Sequence, residues 1–120
     1  MNAENEAVNL IVKRDDFIAV GVEAVAARYL PESRELEITF NTGAVYRWPV
    51  EALQMLERTA NGWLDLARPS DEQLSNVRLW PHKEVVEFVS IEQCFEVAAL
   101  IRGQLGSKRW MSALLNTAQQ

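Results

Sequence analysis

The stretch "ELEITFNTGAVYRWP", residues 35–49, holds the strongest structural signal in the chain. Leu36, Ile38 and Phe40 alternate with Glu37 and Thr39, which is the period-two pattern of a strand with one buried face. Asn41 and Gly43 follow, and both residue types tolerate the positive φ of a tight connection. "AVYRW" then sets Tyr46 and Trp48 on one face and Val45 and Arg47 on the other, a second strand folding back on the first. Upstream, "VEAVAARYL" (22–30) alternates less regularly and is followed by the turn residues "PESR", so a third strand precedes the pair. The expectation is a three-stranded antiparallel meander.

Downstream, Pro49 suits a first helical turn, where its missing N–H would have no partner. "VEALQMLERT" (50–59) therefore reads as a helix, with Ala52, Met55 and Leu56 on one stripe and Glu51, Gln54 and Arg58 toward water. "ANGWLDLARPSDEQLSN" reads as a connecting loop in which Ser70 and Gln73 have capping-box spacing for a short helical turn. "VRLW" (77–80) and "EVVEFV" (84–89) form a second strand pair around the turn "PHK". Ser90 and Gln93 repeat the capping-box spacing, and Ile91, Cys94, Phe95 and Ala98 follow at i, i+3, i+4 and i+7 until Gly103, which predicts a core helix. Ser107 caps a last helix whose Met111, Leu114, Leu115 and Ala118 share a face. The predicted fold is a single small α+β domain of order β-β-β-α-β-β-α-α. Residues 1–17 form an N-terminal extension, 18–106 the domain and 107–120 a C-terminal helix and tail. Within the extension residues 1–6 are polar and expected to fray, and "AVNLIVKRDDF" (7–17) is compatible with a helix or an added strand.

At 120 residues the chain suits one domain, and 48% apolar with 24% charged residues is a globular composition. The net charge of −5 argues against a general attraction to nucleic acid, which relies on clustered Lys and Arg. No secretory signal opens the chain and no run reaches the length of a membrane span, so no membrane association is expected. Cys94 is the one cysteine, which excludes an intramolecular disulfide and a Cys-rich zinc site. A reducing, cytoplasmic setting follows, with Cys94 as a buried structural thiol.

In sequence order, "LEITFNTGAVYRWPVEALQML", "LSNVRLWPHKEVVEF" and "SIEQCFEVAALIRGQLGSKRWM" together resemble the small bacterial domain-of-unknown-function family 2442, over roughly residues 20–112. The resemblance implies a small α+β domain, sometimes the front half of helix-turn-helix regulators and sometimes encoded beside toxin-like partners. It supplies no catalytic residue. The chain departs from the family at "VVEFVSIEQ", where relatives often carry a tryptophan and acidic residues, and residues 107–120 leave room for one helix rather than a helix-turn-helix.

Chemistry-bearing residues are sparse. His82 is the single histidine, placed at a turn, and no G-x-S-x-G, H-E-x-x-H, EF-hand or P-loop pattern surrounds any candidate. Adjacent Asp15 and Asp16 point in different directions in either regular structure. No catalytic residue, metal or cofactor is expected. Of four tryptophans, Trp48 and Trp80 are expected in the core, and Trp63 and Trp110 partly exposed, where such side chains serve interfaces. Lys108 and Arg109 lie in a first helical turn, where cations oppose the helix dipole and an acidic partner would compensate. The leading expectation is a non-enzymatic adaptor or regulatory module that binds a protein, or a second copy of itself. The partner-binding residues would be Trp63, Arg102, Lys108, Arg109, Trp110, Met111, Leu114 and Leu115. The alternatives are an antitoxin-like regulator that contacts DNA and an enzyme of unrecognised chemistry using His82 or Cys94.

Overall fold

The computed structural model describes residues 18–118. The expectations for residues 1–17, including Asp15 and Asp16, lie outside the described residues. Strands β1 (Ala24–Leu30), β2 (Glu35–Phe40) and β3 (Val45–Pro49) form the expected antiparallel meander, with β2 central. Leu36, Ile38 and Phe40 are all buried, as their alternation requires. Gly43 takes φ 91° in the turn. Asn41 ties the turn to the incoming chain, donating to the Gly21 carbonyl and accepting from the Glu23 N–H.

The outer face of this sheet carries one surprise. Glu37 is 5% exposed, although alternation places it toward water. Arg28, Glu37 and Arg47 are directly opposite one another across the three strands, and both guanidiniums donate to the one carboxylate while covering it. Arg28 first, then Arg47, holds the Glu37 carboxyl below the usual carboxylate range. A depressed pKa contributes stability above the unfolded value, about pH 4.3, that is lost as pH falls through the folded one. In urea unfolding between pH 2 and 7, Glu37→Gln is expected to be less stable at neutral pH and to show a shallower acid decline. An unchanged acid slope would assign that decline to other carboxylates.

The second sheet consists of β6 (Val77–Leu79), β7 (Val85–Phe88) and β8 (Gln93–Glu96), with β7 central and β1 running beside β6. Leu36, Ile38, Trp48, Val86 and Phe88 fill the core with Leu74, Val97 and Leu100 from short helices. Helix α1 (Asp71–Leu74) has the predicted capping box, with Ser70 Oγ accepting from Gln73 N–H and the Gln73 side chain reaching back to Ser70 N–H. Trp48 Nε1 donates to the Leu100 carbonyl and fixes helix α2 (Val97–Ile101) to the first sheet. Helix α3 (Lys108–Ala118) follows, with Ser107 Oγ accepting from Trp110 N–H as its cap. The chain is α+β and follows the predicted strand and helix order outside two segments.

Two segments differ from expectation. Residues 50–59 are not a helix: a single 3-10 turn (Val50–Ala52) leads into strand β4 (Leu56–Thr59), which pairs with β5 (Gly62–Asp65) in the segment read as a loop. The reason is burial. Leu53 and Met55 are both buried, and in a helix these residues would point about 160° apart, whereas an extended chain sends both to the core. Leu56 is exposed instead of joining the stripe.

The core helix predicted from Ile91 shrinks to α2. Glu92 sits at φ 53°, a left-handed conformation no right-handed helix can contain, and Gln93–Glu96 pair with β7. Ser90 lies in a 3-10 turn rather than at a cap. The stop was legible: Gly103 has φ 83°, and Gly103 N–H to Leu100 O with Gln104 N–H to Ala99 O completes a Schellman motif. Cys94, placed on β8 and facing outward, is exposed rather than buried, with its thiol held above its ordinary pKa by local desolvation and Glu87. Trp80 is half-buried rather than a core residue, its Nε1 donating to Glu87.

Candidate protein-binding surface

The β4–β5 hairpin and the start of α3 lie side by side because one side chain serves both. Gln54 accepts from Ser107 N–H at the mouth of α3 and donates to Asp65 at the end of β5, at 2.7 and 3.0 Å. Its own backbone N–H donates to Leu105 O. Arg109 closes the junction, its Nη2 3.1 Å from Asp65 Oδ2. The Gln54 amide and then Arg109 keep Asp65 below the usual carboxylate range, so the junction stays charged near neutrality. On the other flank Gln93 donates to Leu56 O and accepts from Leu56 N–H, standing in for a strand neighbour of β4.

Trp110 turns inward: it is half-buried, and its indole N–H donates to Ala52 O at 2.8 Å. Its approach leaves no room at Gly106, where a Cβ would lie 2.6 Å from Gln54 Cβ and 2.7 Å from Trp110 Cδ1. Met111 is half-buried too, its sulfur 3.4 Å from Leu105 N. Leu114 is half-buried and Leu115 is 60% exposed, so α3 is attached chiefly by its first turn.

What remains uncovered is apolar. Trp63 is 63% exposed, Leu64 and Leu56 are exposed beside it, and the Arg58 guanidinium lies 6.0 Å above the Trp63 ring. Trp63, Asp65, Leu56 and Arg58 share one face of the hairpin, since Arg58 pairs with Trp63 and Leu56 with Asp65. The structure thus brings Trp63 and Arg109 to one surface through Asp65. Lys108 is exposed on the next position of α3, and Arg102 is exposed at the C-cap of α2. Trp110 and Met111, expected to face a partner, are engaged within the domain. Arg109 is likewise matched by an internal carboxylate.

Gln54, Leu56, Arg58, Leu64 and Asp65 were not among the residues expected to bind a partner. A signal was present: the Asn61-Gly62 dipeptide is a hairpin turn cue, and Gly62 takes φ 101°.

The other two candidates are not near each other's chemistry. His82 is exposed at the β6–β7 turn, where its Nδ1 accepts from Glu84 N–H at 3.3 Å, and it borders an open cavity of about 600 Å³ with Glu23, Lys83, Glu84 and Glu96. Cys94 does not line that cavity. Among the described residues, no group of three or more His, Cys, Asp or Glu side chains is placed to hold a metal ion. No helix among them is long and apolar enough to cross a membrane.

No family model matches this chain, and no curated protein matches it. A solved structure of a protein of unknown function from Rhodospirillum rubrum is similar, with 23% identity, a TM-score of 0.60, and coverage of 75% of this chain and 96% of the other. At that identity the likeness is one of fold.

Proposed function

We propose that the protein is a non-enzymatic binding module whose partner, a protein, seats on the β4–β5 hairpin and the exposed side of α3. One observation carries the reading. Trp63 and Leu56 share one exposed face of the hairpin, Leu64 is exposed on its other face and Leu115 on α3, and none of the four contributes to the buried core. Large apolar side chains on a soluble domain gather this way where something covers them. Arg58 and Lys108, both exposed, supply the charge that would orient an acidic partner. Membership of family 2442, a regulatory role and a cytoplasmic setting belong to the same proposal and rest on the sequence motifs and the lone thiol.

The test is capture of partners from native lysate by the full tagged chain, compared with Trp63→Ala and Leu115→Ser. Each variant removes exposed surface, so melting temperatures are expected to stay near that of the parent. Capture is expected to fall at least tenfold with Trp63→Ala, the scale of an interface hot spot. Equal capture by all three chains would refute this placement, and recovery of DNA alone would favour the DNA-contacting alternative.

A further inference from the structure

Beneath Trp110, on the same flank as the hairpin, lies a cavity of about 210 Å³. Val50, Leu53, Met55 and Leu66 form its apolar floor, and Trp110 and Arg68 border its opening. The volume decides the class of occupant. A cavity of roughly 150 Å³ holds a benzene ring, whereas pockets for whole metabolites run to about 300–1,000 Å³. This one suits a single bulky side chain.

Charge decides the surroundings of that side chain. Arg68 donates to Glu51 through Nε, yet its side chain is 68% exposed against 46% for Glu51. The same holds at Arg109, the residue before Trp110 on α3, which is 69% exposed against 38% for Asp65. Glu51 also lines the cavity, but its Oε1 is engaged by both Arg34 and Arg68, and the Arg68 guanidinium is the more exposed member of that pair. In a chain of net charge −5 this rim is locally receptive to anions.

We infer that the cavity takes one leucine- or phenylalanine-sized side chain from an acidic peptide segment of the partner, with flanking carboxylates on Arg68 and Arg109. This rests on the proposed function and names the chemistry of its partner. Apolar burial would supply the affinity and the two arginines the orientation.

The test is nuclear magnetic resonance of the full chain, reading the Met55 methyl and the Trp110 indole N–H. The probes are the blocked peptide Asp-Glu-Leu-Glu-Asp, its alanine-centred counterpart and the basic peptide Lys-Arg-Leu-Arg-Lys. The acidic leucine peptide is expected to shift both reporters saturably and to bind at least tenfold more tightly than the other two. Arg68→Gln, an exposed change, is expected to weaken it at least threefold. Absence of a saturable shift, or equal binding of the alanine or basic peptide, would overturn the inference. Partner capture that depends on Trp63 without peptide binding would leave the proposed function standing and remove this cavity from it. Peptide binding with capture indifferent to Trp63 would do the reverse.

Discussion

Arg34→Ala is expected to cost about 1.5–3 kcal/mol, the range for losing hydrogen bonds to charged groups when the donor is largely buried and its carboxylate partners are half-exposed. Arg34 lies in the β1–β2 turn with its side chain 18% exposed, and it donates to Glu51, Asp71, the Tyr29 hydroxyl and the Pro69 carbonyl. Tyr29 in turn donates to Asp71. Burial, then the hydrogen bond to Asp71, pushes the Tyr29 phenol up to about 12, so it stays a donor across the ordinary pH range. One side chain therefore joins the meander, the 3-10 turn after β3 and the segment leading into α1. Without it, Pro69 O loses its donor, and Glu51 and Asp71 are left with Arg68 and the Tyr29 hydroxyl alone. The measurement is the urea midpoint. A loss under about 1 kcal/mol would mean that these bonds behave as solvated surface pairs. A second substitution separates side chain from backbone. Arg34 has φ 54°, so Arg34→Gly is expected to be less damaging than Arg34→Ala by about 1 kcal/mol, because glycine adopts that conformation without a Cβ clash.

Trp110→Ala is expected to release α3 from the domain. The half-buried indole covers roughly 100 Å² at about 25 cal/mol per Å², and it makes a hydrogen bond to Ala52 O, together about 3–4 kcal/mol. Helix α3 has 11 residues, and isolated helices shorter than about 12–15 residues are marginal in water. Undocking and unwinding should therefore coincide. The expected result is at least a tenfold gain in proteolysis and amide exchange over residues 104–118, with the two sheets retaining their protection. Gly106→Ala should produce the same pattern by a different route, since its methyl would collide with Gln54 and Trp110. Unchanged protection in both variants would show that α3 is held by Leu114 and Met111 instead.

Legibility followed the range of the interactions involved. The meander was readable because alternation in Leu36, Ile38 and Phe40, and the Asn41–Gly43 turn, are local signals that the final structure obeys. The capping box at Ser70 and the stop at Gly103 were readable for the same reason. Residues 50–59 and 90–96 were misread because their spacing satisfied a helical template while their competitors lay elsewhere in the chain. Met55 O is claimed by Leu66 N–H and Gln54 N–H by Leu105 O, and no local pattern announces those partners.

The candidate surface divides the same way. Composition and the four tryptophans pointed to α3 and Trp63, and the exposure of Trp63 and Leu115 agrees with that part of the reading. Which face of α3 meets the domain was decided by Gln54, a residue 53 positions before the Ser107 N–H that it accepts from. That contact turned Trp110 from an exposed anchor into the lid of a cavity. By itself, then, the sequence determined the α+β class, the meander with its Asn41–Gly43 turn, the Ser70 capping box and the Gly103 helix stop, since each depends on backbone preferences within a few residues. Only the tertiary structure decided which helices became strands, how Glu37 was covered and where the cavity lies, because those outcomes depend on side chains that meet only after the chain has folded.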